Sequence, residues 1–265
     1  MPRPPRQDRR PSQRRFHQNK SGAAKPPLRP HVTTLWDYPS QNYGSGHQGD
    51  ENYPGVTPSH VVWNVVHRYC PEGGLVVDPF CGSGTTLDVA ADLNRRAKGF
   101  DLAPTRPAIT RADARELPLT DGEADVVFMD PPYGTHIDYS DDPRCIGKLP
   151  AHEADYYDAM HAAFAEAWRV LKPEGTLAVY VCDSRVNKGQ GKGFWPIGFE
   201  LFAILRDGGF EPIDIVAVVR HNKTLELGNY RKAADEGGFF LRGFNYLLLF
   251  RKPIEDEQPR KKRRR

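Results

Sequence analysis

Two short runs hold side chains whose types and spacing can do chemistry. The first is Asp78-Pro79-Phe80-Cys81-Gly82-Ser83-Gly84-Thr85-Thr86. It sets an acid, a pair of glycines and three hydroxyls in one turn. Glycine lacks Cβ, so Gly82 and Gly84 let the backbone turn sharply and approach a ligand closely. The second is Asp130-Pro131-Pro132-Tyr133, 52 residues after Asp78. Here a carboxylate and a proline-stiffened carbonyl can accept the two hydrogens of an amino group. An amino nitrogen conjugated to a ring is a poor nucleophile, and acceptors that draw its hydrogens aside favour the tetrahedral form that reacts. Tyr133 offers an aromatic face against which a flat, unstacked ring can lie.

These runs need elements to hold them. Leu75–Asp78 reads as a short buried strand and Thr85–Asn94 as a helix, so the glycine turn joins the two. Ala97–Asp101 is the next strand and Ala124–Asp130 another, with Pro131 just past its end. His152–Leu171 has the period of a long amphipathic helix. Lys172–Gly175 is a turn before the strand Thr176–Cys182, Gly198–Gly208 is a helix, and Pro212–Arg220 and Phe244–Arg251 are final strands. Residues 31–58 read as ordered loop, and Thr57-Pro58-Ser59 starts a helix through Tyr69. Alternating strands and helices with short loops predict a mostly parallel sheet covered on both faces. Ligands of such sheets sit beyond the carboxyl ends of the strands, which is where both runs fall.

Other chemistries fail on inspection. The glycine turn has no Gly-Lys-Ser/Thr, so it is not a phosphate loop, and Ser83 lacks the G-x-S-x-G of a nucleophile elbow. The four cysteines have no C-x-x-C spacing, and the histidines have no metal-ligand spacing. That pattern predicts a reducing, cytoplasmic setting and no metal. Runs such as Tyr246–Phe250 are too short to span a bilayer, and the N-terminus has no apolar signal core.

DPFCGSGTT resembles motif I of the S-adenosylmethionine-dependent amino-methyltransferases of nucleic acids, the N-4/N-6 DNA methylase family. Asp130–Tyr133 resembles their motif IV, and Tyr53–Ser59 a permuted motif X. The resemblance covers roughly residues 33–252. It implies a class I, Rossmann-like α/β fold with a seven-stranded, mostly parallel sheet. It also implies a cofactor loop made of Asp78, Pro79, Phe80, Cys81, Gly82, Ser83, Gly84, Thr85 and Thr86, with Asp78 facing the methionine ammonium. Asp101, 23 residues after Asp78, ends the second strand where an acid can accept both ribose hydroxyls. Asp113 and Ala114 lie where the family contacts the adenine. Asp130, Pro131, Pro132 and Tyr133 become the catalytic set. The acid in motif IV leans toward adenine N6 in DNA, with cytosine N4 second. Because no inserted target-recognition domain is present, an RNA enzyme acting on cytidine N4 or guanosine N2 is the alternative. A nucleic-acid-binding module without chemistry is a further alternative, against which the intact motifs stand.

The charge is divided. Residues 1–30 sum to +8 and residues 251–265 to +5, so the stretch between them carries −10 of the chain's net +3. The whole chain is 38% hydrophobic, and the stretch of about 220 residues between the ends can bury the core of one domain. The expectation is a disordered basic tail over 1–30, a catalytic domain over 31–252 and a basic tail over 253–265. The tails would grip nucleic acid without reading sequence; a localisation or solubility role is the alternative for Arg260–Arg265. The connections Gly134–Pro150, Asp183–Pro196 and His221–Gly243 carry basic and aromatic residues that suit the same partner or a solvated surface.

Overall fold

Strands buried on both faces must be apolar at consecutive positions, and two stretches are. β2 (Leu75–Asp78) reads LVVD and β5 (Ala124–Met129) reads ADVVFM, with all of β2 and nearly all of β5 buried. The computed structural model describes residues 25–135, 137–186, 193–221 and 227–254. Most of the two expected basic tails, residues 1–24 and 255–265, lies outside them.

The elements follow in order. β1 is Leu35–Trp36, α1 Ser59–Tyr69, β2 as above, α2 Thr85–Asp92, β3 Arg96–Asp101 and β4 Ile109–Arg111. After β5 come α3 (Ala154–Val170), β6 (Leu171–Val181), β7 (Ser184–Val186), β8 (Gly193–Trp195), α4 (Ile197–Asp207), β9 (Glu211–Val219), α5 (Gly228–Gly237) and β10 (Phe244–Arg251). The main sheet runs β1-β9-β10-β6-β5-β2-β3-β4, and β7 pairs with β8 in a separate ribbon. All pairings in the main sheet are parallel except those of β10, which runs antiparallel to both β6 and β9. This is the doubly wound arrangement of a class I methyltransferase.

Alternate residues of each strand feed two cores, as the two-residue period of a strand requires. Val77, Val127, Met129, Leu177 and Val179 face α3 and α4. Val76, Val126, Phe128 and Ala178 face the other way, onto Val61, Val62, Val65 and Val66 of α1 and Val89 of α2.

The sheet has eight strands where seven were expected. The extra one is the two-residue β1, whose Leu35 and Trp36 pair with Ala217 and Val218 at the β9 edge. Lys172–Gly175, expected as a turn, is drawn into the start of β6. Its turn character survives in Glu174, whose φ of 65° is left-handed. β4, the β7–β8 ribbon and α5 were not foreseen.

One consequence of the topology positions the site. From β2 the chain winds outward through β3 and β4, then returns to β5 on the other side of β2. The winding therefore reverses between β2 and β5, which pair directly through Val76 with Val126 and Val77 with Val127. A crevice opens at the carboxyl ends of two strands where the winding reverses. Asp78 ends one of them and Asp130 directly follows the other.

Candidate active site

Asp78 is only 4% exposed. Its Oδ1 accepts the backbone N–H of Phe80 (3.0 Å) and its Oδ2 the hydroxyl of Thr86 (2.6 Å). The acid thus ties the glycine turn to the first turn of α2. Burial drives its carboxyl pKa up to about 7, against the pull of those two donors. Gly82 and Gly84 take left-handed φ values of 50° and 86°. A Cβ on Gly82 would come within 2.9 Å of the Tyr53 ring, and one on Gly84 within 2.4 Å of the Arg106 guanidinium. Part of the need for glycine is therefore internal: the chain's own Tyr53 and Arg106 lie against the turn. Arg106 also pairs with both oxygens of Asp88 on α2 (3.0 and 2.9 Å).

Asp101 ends β3 and braces the same turn from the other side. Its Oδ2 accepts from Gly82 N (2.9 Å) and its Oδ1 from Ala103 N (2.9 Å). Asp113 is held by Arg115, whose Nε and Nη2 reach its two oxygens at 2.8 and 2.7 Å. Burial disfavours the charged form of Asp113, but the Arg115 bonds outweigh it and hold the carboxyl below its usual range.

Asp130 is enclosed by two hydroxyls. Thr57, just before α1, donates to Oδ2 at 2.5 Å, and Tyr133 donates to Oδ1 at 2.6 Å. Burial again raises the carboxyl to about 7, and the two donors limit the rise. The Tyr156 hydroxyl on α3 holds the carbonyl of Pro132 at 2.8 Å. The carbonyl of Pro131 takes no hydrogen bond among the described residues, so it remains available as an acceptor.

All of this surrounds one cleft of about 780 Å³. It is lined by Asp78, Pro79, Phe80, Cys81, Gly82, Ser83, Thr85, Thr86, Asp101, Asp113, Ala114, Asp130 and Pro132. Gly84, Pro131 and Tyr133 do not line it. Tyr133, expected as a stacking face, is partly buried and packs against the core, and its hydroxyl serves Asp130. Aromatic walls come instead from Tyr53 and Tyr139, with ring centroids 6.4 Å apart. Sequence reasoning placed Tyr53 and Thr57 in the stretch resembling a permuted motif X without giving either a role, and no local signal marked Tyr139. Among the described residues no group of three or more His, Cys, Asp or Glu is placed to hold a metal ion.

The raised Asp78 and Asp130 make the cleft pH-sensitive. A carboxyl whose pKa is higher folded than unfolded contributes stability at low pH that is lost as pH rises through its folded value. His60, buried on α1 and drawn down to about 3 by burial, acts in the opposite sense, but only below its ordinary value. Between about pH 6.5 and 8 the two aspartates therefore dominate. The thermal midpoint of the ligand-free protein is expected to fall across that window, and Asp130→Asn to flatten the fall. A midpoint that rises, or one equally steep in the variant, would contradict burial of an ionisable Asp130.

The chain matches a family model described as DNA methylase over residues 3–110 and 124–264. A curated relative, the type II methyltransferase M.ScaI of Streptomyces caespitosus, is 33% identical over 89 residues. Those residues are 32% of this chain and 29% of the relative, so the match spans less than a third of that protein. Among solved structures, the [4+2]-cyclase SpnF superposes with a TM-score of 0.50 at 18% identity, covering 80% of this chain and 89% of its own. A S-adenosylmethionine-dependent methyltransferase from Methanosarcina mazei gives a TM-score of 0.46 at 14% identity, covering 72% and 98%. A cyclase on this fold shows that fold alone does not choose the reaction.

Proposed function

We propose, from the premise that this chain belongs to the N-6/N-4 DNA methylase family, that it transfers a methyl group from S-adenosylmethionine to an exocyclic amino nitrogen of a DNA base. Adenine N6 is the favoured target and cytosine N4 the second. The observation that carries the reading is the placement of Asp130 on the cleft that Asp78 and Asp101 also line, followed directly by Pro131, whose carbonyl is unengaged among the described residues.

The cleft suits the cofactor. Its carboxylates answer the positive charge and hydroxyls that the cofactor carries. Asp78 would face the ammonium, Asp101 the ribose hydroxyls, and Asp113 and Ala114 the adenine, with Pro79–Thr86 wrapping the methionine part. Asp78 and Asp101 already hold the loop with one donor on each oxygen, and each oxygen has a further lone pair. S-adenosylmethionine, when bound, supplies a methyl group that its sulfonium already activates.

The chain's own residues then prepare the nucleophile. Thr57 and Tyr133 fix the Asp130 carboxylate by one bond to each oxygen and leave a second lone pair on each. Those lone pairs and the Pro131 carbonyl accept the two amino hydrogens of the target base, and Pro132, held by Tyr156, stiffens the arrangement. As nitrogen gains its new bond it must lose a proton, and a carboxylate with a pKa near 7 is matched to receive it. Tyr53 and Tyr139 give the flat aromatic surface. Transfer rests mainly on positioning, with no covalent enzyme intermediate.

The basic tails add affinity for DNA that does not depend on sequence and weakens with salt. The work is cytoplasmic, in the manner of the modification partner of a restriction–modification pair. The absence of an inserted recognition domain favours one second reading, methylation of RNA at cytidine N4 or guanosine N2.

Asp130→Ala is expected to reduce methyl transfer by about 10²–10³-fold or more while S-adenosylmethionine still binds. Wild-type transfer by that variant would refute the role of Asp130. Thr57→Val removes a donor that favours the ionised carboxylate, so the acid limb of its rate profile should move to higher pH, and Thr57→Ser should restore it. An unshifted profile in Thr57→Val would leave Thr57 a merely structural residue.

A further inference from the structure

Three arginines gather at the carboxyl edge of the sheet beside the cleft. Arg185 lies on β7, Arg220 just after β9, and Arg242 just before β10. β7 follows β6, and β6 lies next to β5 in the sheet, with Val179 opposite Met129. The arginines therefore share the end of the sheet on which Asp130 sits.

Their partners are unusual. The Arg185 guanidinium lies 4.9 Å from the Phe239 ring centroid and 5.9 Å from that of Phe194. Arg242 lies over the Phe194 ring at 4.8 Å and donates to the Phe240 carbonyl at 3.0 Å. Among the described residues the Arg220 side chain reaches the Cys182 sulfur, at 3.4 Å. Among the described residues none of the three is in an ion pair. Elsewhere in the body Arg106, Arg111, Arg115, Arg144, Arg169, Arg206 and Arg251 each have a carboxylate. Arg68, Arg95 and Arg96 also lack a carboxylate and are held by backbone carbonyls; Arg185 and Arg242 differ in lying against phenyl rings. The patch is also aromatic at its surface: Phe194 is 41% exposed and Phe240 88%.

We propose that this arginine–phenylalanine patch, built by β7, β8 and the segments leading into β10, is the surface that grips the DNA strand next to the target base. The inference rests on the DNA-methylating reading above and names where its substrate lies. A guanidinium packed on a phenyl ring can still offer N–H groups to phosphate oxygens, and the buried Arg185 Nε has no partner among the described residues. Phosphate is the complement that a carboxylate-free cation cluster lacks within its own chain. The exposed Phe240 ring offers a further face to an unstacked base. The patch then takes the place of a separate recognition domain in docking the strand, while the cleft handles the flipped base.

The test uses the full chain and a mixed-sequence duplex DNA, with binding titrated across salt concentrations and S-adenosylmethionine affinity measured in parallel. Arg242→Gln is expected to weaken DNA binding and to lower the salt slope by about 1, and Arg242→Lys to keep the slope. Phe194→Ala, which removes the ring under Arg242, should weaken DNA binding about tenfold without changing cofactor affinity. Wild-type DNA affinity and slope in both Arg242→Gln and Phe194→Ala would overturn the inference. So would losses matched by an equal loss of cofactor affinity. A wild-type protein that binds DNA through this patch yet transfers no methyl group to it would refute the proposed function and leave the surface standing.

Discussion

The parallel pairing of β2 with β5 is the constraint on which the rest depends. It brings two acids that are 52 residues apart in the chain to the mouth of one crevice. Neither could sit there without help, because burial drives both carboxyls up to about 7. Each acid is accordingly satisfied by donors from a different part of the chain. Thr86 and Phe80 serve Asp78; Thr57 and Tyr133 serve Asp130. The loop before α1, the glycine turn, α2 and the Pro-Pro turn are held together through these two carboxylates. Structural need and the proposed chemistry thus fall on the same side chains: what keeps Asp130 in place also leaves a further lone pair on each of its oxygens.

The strands that carry the site were legible because burial on both faces forces runs such as LVVD and ADVVFM, and these appear at the expected places. Helices with a clear apolar stripe were legible for the same reason. The elements that escaped lack that signature. β4 is three residues, of which only Ile109 is buried, and α5 buries only Ala234 among ten residues. β1 is defined by its edge pairing with β9, a tertiary fact that no local pattern announces. Within the site, residue types next to a motif were readable, and their directions were not. Tyr133 has the composition of a stacking platform, but its distance from Asp130 in the chain lets its hydroxyl fold back onto the carboxylate. Tyr139 and Thr57 reach the cleft from loops whose paths are set by packing across the whole domain.

Charge divides along similar lines. Four of the body's acids line the cleft where a cationic cofactor and an amino group would be received. Arg185, Arg220 and Arg242 lie toward the same end of the sheet without a carboxylate partner among the described residues. On the proposed reading, a DNA strand would be accepted at that edge, with the basic termini adding affinity. Such an arrangement steers a strand toward the cleft without any base being read. It places the grip beside the chemistry and leaves the cleft for a single base.

The central claim is that Asp130 and the Pro131 carbonyl accept the hydrogens of an exocyclic amino group on a DNA base. Mass spectrometry of nucleosides released from DNA and from RNA, each incubated with the full chain and S-adenosylmethionine, tests it most directly. The account predicts a DNA nucleoside methylated on its exocyclic nitrogen, N6-methyldeoxyadenosine before N4-methyldeoxycytidine. Methyl groups on ring carbons of DNA bases, or label confined to RNA, would contradict it.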